Sequence, residues 1–410
     1  MSQKIIRKFF YGYVIVIATF FSLMWIWGTW NTFGVFFESW IGEFGWTRAL
    51  TSGANSLNSI LFGLAGILVA RLTESFGPRK IATVCGFFLG LGYLLMSQIS
   101  ATWQLYLLFG VIIAIGMSAY ISMLSIVAKW FEKRRGLMTG IVFSGMGLGM
   151  MIMPPVANWL ISVYEWRASC IIMGASTLVV TILAAQFLRH APVQTGQLSN
   201  NKDKEKQKTV VKEHGTLSLK EAFYNGQFWQ ISALYFFMLF CLVAITVHIV
   251  IYSTGLGISA NNAVNILALI GGVSIVGMSV MGGTADKIGN KRSIAISFAL
   301  MAIILFWLIV SKELWMLYMF AVFFGFGYGG IQALLSPITA ELFGLKSHGI
   351  ILGTAAFAGT IGAAVGPIAA GYIFDTTASY NLAFLICAII AVLGFILTLL
   401  LPPAKRLVKD

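Results

Sequence analysis

Charge-poor, apolar stretches of about 20 residues recur along the whole of this 410-residue chain, near 11–35, 48–70, 80–98, 103–128, 136–160, 167–187, 227–254, 261–283, 293–311, 314–340, 349–373 and 379–401. A helix of that length, rising about 1.5 Å per residue, covers a hydrocarbon core of about 30 Å. In lipid every backbone N–H and C=O must be bonded within the protein, which leaves only helices or a closed barrel. Barrel strands alternate apolar and polar residues over about ten positions, and nothing in this sequence alternates. Composition agrees, because 59% of the residues are hydrophobic and 10% charged, whereas a soluble protein carries roughly a quarter charged residues. The pattern therefore predicts an all-α integral membrane protein of twelve spans, numbered 1 to 12 here in chain order.

An even number of spans puts both termini on one side, and the loops of that side hold every Lys and Arg except Arg48, Arg167 and Lys312. By the positive-inside rule that side is cytoplasmic, and for a bacterial chain the membrane is the inner one. The net charge of +13 is then a topology signal. Its cations are distributed beside apolar helices, where they meet anionic headgroups, so nucleic acid is not an expected partner. The apolar run after the basic Met1–Lys8 segment exceeds a signal-peptide core and ends in no small-residue cleavage site, so it reads as a retained span 1. Cys85, Cys170, Cys241 and Cys387 fall inside spans without a Cys-x-x-Cys pair and read as packing residues.

The chain also repeats itself. Ala70–Lys80 closes span 2 and Gly282–Arg292 closes span 8, their acidic residues Glu74 and Asp286 lying 212 positions apart. Gly136 corresponds to Gly349, and Pro154 to Pro367, at an offset of 213. The expected domains are a six-helix half over 1–187, a polar, lysine-rich linker over 188–226, and a second six-helix half over 227–410. Within the linker, Ser218-Leu219-Lys220-Glu221 has capping-box spacing and predicts a short helix. Two matched bundles meeting at the membrane midplane can alternate access to a central site. Transport of a small molecule is the expected function, with membrane lipid around a monomeric unit.

Polar residues inside spans are costly unless they line a cavity or find a partner. Those available are Thr29 and Asn31 in span 1, Asn55 and Asn58 in span 2, Ser118, Tyr120 and Ser122 in span 4, Ser144 in span 5, His248 and Tyr252 in span 7, and Tyr328, Gln332 and Ser336 in span 10. Asn31, Asn58, Tyr120, His248, Tyr328 and Gln332 are the candidate substrate contacts, with aromatic neighbours Trp27, Trp30, Phe324 and Phe326. His248, the only His within a span, is the proton-coupling candidate. In span 5, Gly140, Gly145, Gly147 and Gly149 are expected to admit a close neighbour. No nucleotide-binding loop or His-Glu-x-x-His motif occurs, and His190, His214, His248 and His348 are too scattered for a metal site, so neither enzyme, cofactor nor metal is expected.

The acidic-basic-x-Gly-x-basic corners after spans 2 and 8 resemble the signature loop of the major facilitator superfamily. Residues 130–145, WFEKRRGLMTGIVFSG, resemble the signature between spans 4 and 5 of its monocarboxylate transporter and oxalate:formate antiporter group. Ala70 and Glu74 depart from that loop's usual Gly and Asp. The resemblance implies two pseudo-twofold-related six-helix bundles. It also implies a conformational latch at the corners, built from Glu74, Arg79, Arg134, Arg135, Asp286 and Arg292. Its group binds a substrate carboxylate with an arginine in span 8, eight residues before the corner acid, and that position is Met278 here. The partner acid aligns with Ser274, and a second cationic position, in span 11, falls near Ala355. Two substrate classes follow. One is a small monocarboxylate such as lactate, pyruvate, formate or acetate, with proton symport. The other is a neutral or more apolar solute, imported or exported. A transporter-like nutrient receptor is a minor third.

Overall fold

The computed structural model describes residues 11–131, 135–189, 219–344 and 348–401, and every regular element among them is helical. Ten of its helical segments are long and apolar enough to cross a membrane. Twelve crossings result because one of them, within Arg135–Gln186, contains two helices. Its 52 residues would extend roughly 78 Å if straight, far beyond a bilayer core. The chain reverses at Glu165, whose φ of 63° and ψ of 166° lie outside helical space, giving span 5 before it and span 6 after it. The twelfth crossing is span 4, interrupted but continuous in direction. It comprises Thr102–Leu105, a π-helical stretch over Tyr106–Ile113, Ala114–Met117 and Ala119–Trp130. The break at Ser118 is filled by its own hydroxyl, which donates to the Ala114 carbonyl at 3.0 Å.

Span 1 is longer than the hydropathy suggests. Gly12–Asn31 continues, after a kink at Thr32, as Phe33–Phe44, because Phe33, Phe36, Phe37 and Trp40 bury their rings against the bundle. The other spans are Arg48–Phe76 (2), Pro78–Met96 (3), Gly226–Gly255 (7), Ala260–Ile288 (8), Asn290–Val310 (9), Leu314–Phe343 (10), His348–Thr377 (11) and Asn381–Leu400 (12). The short helix expected from the capping box is Leu219–Phe223, while Ser218 and residues 190–217 of the linker lie outside the described residues.

The internal repeat is visible in the packing. In the first half span 1 packs on span 5, span 2 on span 4 and span 3 on span 6; in the second, span 7 packs on 11, 8 on 10 and 9 on 12. Between halves, span 2 meets span 11, span 5 meets span 8 and span 1 meets span 7, a set that is unchanged when the halves are exchanged. The two corners also share one backbone turn, Gly77 at φ 87°, ψ 152° and Gly289 at φ 91°, ψ 152°. That region is accessible to glycine and strained for other residues, which is why both copies keep a Gly there. These are the pseudo-twofold-related bundles of a major facilitator fold.

Small residues set the approach of spans 1 and 5. A Cβ on Gly149 would collide with the Met24 carbonyl, and one on Gly145 would lie 2.6 Å from the Phe20 carbonyl. Gly140 departs from the expectation, since nothing lies within 4 Å of where its Cβ would be. It is exposed, at the end of span 5 nearest the termini.

Candidate functional site

Two groups of side chains stand out, one in the central turns of the spans and one at the face opposite the chain termini, called here the far face. In the centre, Trp27 of span 1 packs edge-to-face on Trp30, on Phe62 of span 2 and on Tyr120 of span 4, with ring centroids 5.5, 6.0 and 6.1 Å apart. Such contacts place the positive ring edge on the negative face and fix the rings without charge. Trp30 Nε1 donates to Asn58 Oδ1 at 3.1 Å, and Asn58 Nδ2 donates to the Phe109 carbonyl at 2.7 Å. Asn58 is thus bonded on both sides, joining spans 1, 2 and 4. Asn31 Nδ2 donates to the Trp27 carbonyl at 2.8 Å.

The candidate Gln332, the aromatic Trp27 and the polar Asn55 carry orphaned atoms. Trp27 Nε1, Gln332 Oε1 and Asn55 Oδ1 are closed off from solvent and have no hydrogen-bond partner among the described residues. An unpaired polar atom inside a membrane protein costs roughly 1–3 kcal/mol, so each of these invites a water or a solute. Tyr328 and Met278 are half-buried. Thr29, Ser118, Ser144 and Tyr252 instead spend their hydroxyls on backbone carbonyls. The side chain of Ser122 lies outside the described residues. No Lys or Arg occupies the central turns of any span, so whatever is bound there meets neutral groups and aromatic rings.

His248 does not belong to this central group. It is fully buried toward the far end of span 7 and bonds with both ring nitrogens, Nε2 at 3.0 Å from the Pro367 carbonyl and Nδ1 at 3.0 Å from the Tyr380 hydroxyl. A carbonyl only accepts, so Nε2 carries a proton, and in the neutral ring Nδ1 then accepts from the Tyr380 hydroxyl. The Tyr380 oxygen in turn accepts from Arg48 Nη1 at 2.6 Å. Burial pushes the Tyr380 hydroxyl up to about 12, against the opposing pull of Arg48, so it remains a donor throughout the physiological range. The Arg48 guanidinium lies 3.5 Å from the centre of the Phe374 ring, a cation–π contact.

The same cluster joins the halves through the backbone. Asp375, in the last turn of span 11, accepts from the Arg48 N–H at 3.0 Å and the Ala49 N–H at 2.8 Å. Thr47 Oγ1 accepts from the Leu50 N–H at 3.2 Å. The first turn of span 2 is thus capped partly by its own Thr47 and partly by a carboxylate 326 and 327 residues away in sequence. A negative charge at a helix N-terminus is favoured by its exposed N–H groups and dipole. Asn158 Nδ2 of span 5 donates to Asn261 Oδ1 of span 8 at 2.6 Å, and a Cβ on Gly34 would lie 2.7 Å from the Thr246 carbonyl of span 7. On this face the two halves are in contact at several points.

Sequence reasoning missed Arg48, Asp375 and Tyr380. The available signal was the scarcity of cations on the far face: Arg167 is held there by Glu43 at 2.5 Å, and Arg48 by the cluster above. Of the corner residues expected to form a latch, Arg79 Nε donates to the Leu188 carbonyl at 3.4 Å, while Asp286 and Arg292 are exposed and form no ion pair with each other. Arg134 and the side chains of Glu74 and Arg135 lie outside the described residues.

The sequence matches the profile of the Major Facilitator Superfamily over residues 15–282 and 273–410. The chain belongs to that superfamily. It is a membrane transporter, not an enzyme. Among similar proteins are monocarboxylate transporter 12 of Mus musculus, 25% identical over 97% of this chain and 86% of that protein, and monocarboxylate transporter 13 of Bos taurus, 25% identical over 95% and 89%. Monocarboxylate transporter 4 of Gallus gallus is 26% identical over 87% and 75%. Among solved structures, a bacterial homologue of the human lysosomal transporter Spinster, in an inward-facing, occupied conformation, shares the fold with a TM-score of 0.76 at 15% identity, over 96% of this chain and 97% of that one.

Proposed function

We propose that this major facilitator carries a small monocarboxylate, of the size of lactate, pyruvate, formate or acetate, across a bacterial inner membrane by alternating access coupled to protons. It acts as a monomer whose rigid bodies are residues 1–187 and 227–410, joined by 188–226, with both termini cytoplasmic. The observation that carries the reading is the contact between the halves at the far face. The halves are tied there by Asp375 on the Arg48 and Ala49 N–H groups and by Asn158 on Asn261. Closure at one face by contacts between two matched bundles is what alternating access requires of one of its end states. The named relatives support the substrate class.

Proton coupling fits the same geometry. A bare carboxylate buried among neutral groups is strongly disfavoured, so without a cation at Met278 an acid crosses with its charge compensated. His248 is neutral in the closed far face. Once protonated, its Nδ1–H would meet an oxygen that already accepts from Arg48, and the new charge would face the Arg48 cation, with Asp375 the nearest opposing carboxylate. Proton uptake at His248 therefore accompanies opening of the far face. Uptake of labelled lactate, pyruvate, formate and acetate into proteoliposomes under an imposed pH gradient tests the reading; flux no greater than in empty vesicles for all four rejects it.

The rival reading, a neutral or more apolar solute, is favoured by Met278 itself. It would gain if Met278→Arg created carboxylate uptake absent from the parent. Loss of an existing uptake in the same variant would leave the monocarboxylate reading in place.

A further inference from the structure

The far-face cluster contains a cation that the closure uses without pairing it to an acid. Glu38, Glu43, Glu165, Glu313 and Asp375 are the acids toward that face, and all five are described. None lies within ion-pair distance of the Arg48 guanidinium, whereas Glu43 pairs with Arg167. Asp375 spends its two oxygens on the Arg48 and Ala49 N–H groups. The half-buried guanidinium donates from Nη1 to the neutral Tyr380 hydroxyl at 2.6 Å, and its Nε and Nη2 have no acceptor among the described residues. Arg167, on the same face, is a fully used structural arginine. Its Nη2 donates to Glu43 at 2.5 Å and its Nη1 to the Ser97 and Ile99 carbonyls at 3.0 and 3.2 Å.

The partners of Arg48 all belong to the other half. Arg48 begins span 2, whereas Phe374 and Asp375 end span 11 and Tyr380 precedes span 12. The Phe374 ring centre is 3.5 Å from the guanidinium carbon. Parting of the halves at this face therefore removes the hydroxyl, the ring and the neighbouring negative charge in one movement, and leaves a bare guanidinium beside the entrance. We infer that Arg48 is a carboxylate-binding residue of the far-open state, an entry site at which the acid is captured before it reaches the uncharged centre.

This inference rests on the monocarboxylate reading above, and it supplies what that reading lacks at Met278: a planar fork of N–H donors matched to two carboxylate oxygens. The other cations of the far face do not compete for the role. Arg167 is spent, and Lys312 lies in the loop joining spans 9 and 10, neither of which is paired across the halves. In the closed state the Tyr380 hydroxyl occupies Nη1, so anion capture and closure exclude one another. Closing returns Arg48 to Tyr380 and frees the acid to move inward.

Two measurements on the full-length protein test this: saturation-transfer NMR of lactate, with lactamide as its neutral counterpart, and the concentration dependence of labelled lactate uptake into vesicles with the far face outward. Lactate should bind the parent better than lactamide does, with the preference lost in Arg48→Gln and partly kept in Arg48→Lys. The KM for uptake should rise about 10-fold in Arg48→Gln, equivalent to about 1.4 kcal/mol. It should fall in Tyr380→Phe, which keeps the cation and removes the hydroxyl that competes for it. Both variants lose the same closing bond, so a purely structural role would shift KM in one direction in both and overturn the assignment. Absence of lactate binding in the parent, or equal binding by parent and Arg48→Gln with both folded by circular dichroism, would also overturn it. Arg48-dependent lactate binding without flux would support the site and reject the transport reading, and flux with a KM indifferent to Arg48→Gln would do the reverse.

Discussion

The carboxylate of Asp375 caps a helix in the other half of the molecule, and removing it should tip the carrier toward the far-open state. In Asp375→Ala the Arg48 and Ala49 N–H groups lose acceptors at 3.0 and 2.8 Å. Those bonds exist only while the far face is closed, because their partners belong to opposite halves. Loss of an N-cap costs about 0.5–2 kcal/mol, and the exposure of Asp375 places this one at about 1 kcal/mol after solvent screening. The ratio of far-closed to far-open carrier should then fall about 5-fold, since 1.4 kcal/mol corresponds to a factor of ten. Asp375→Asn keeps one acceptor oxygen and should show a smaller shift. The measurement is a distance distribution between spin labels at Tyr164→Cys and Leu256→Cys, which lie at the far ends of spans 5 and 7 and are 50% and 36% exposed. The four native cysteines are at most 3% exposed and will not compete for label. A folded Asp375→Ala protein with the parent's distance distribution would refute the assignment of this cluster as the closure.

Three further outcomes are expected. Acidification should raise the far-open fraction in the same spin-label experiment, because protonated His248 cannot accept from Tyr380; His248→Gln, whose amide can accept from Tyr380 and donate to Pro367, should stay closed and lose the pH response. Gly149→Ala should lower thermal stability by about 1–3 kcal/mol through overpacking against the Met24 carbonyl, whereas Gly140→Ala, in open space, should be neutral in a melting assay. Asn58→Ala should destabilise by about 1–2 kcal/mol, leaving the Trp30 N–H without its acceptor and removing the Asn58 bond to the Phe109 carbonyl, with the substrate KM little changed. Trp27→Phe, which sacrifices no existing bond, should do the reverse and raise KM several-fold in the uptake assay.

The crossing helices, their number and the twofold repeat were legible in the chain because lipid leaves few alternatives: a run of 20 apolar residues must be helical, and matched corners such as Gly77 and Gly289 impose the same turn wherever they occur. Polar residues within spans were also visible, but their roles were not. Asn58 and Trp27 are equally conspicuous in sequence, yet one has both its amide atoms bonded and the other has an orphaned N–H. That difference depends on which neighbour comes within about 3 Å. The far-face closure was hidden for the same reason. Arg48 and Asp375 are separated by 327 residues, and no local pattern links them. Hydrophobicity is a property each segment carries alone, so the sequence determined what enters the membrane; hydrogen bonding across halves is a property of pairs, and only the packed bundle decided those pairs.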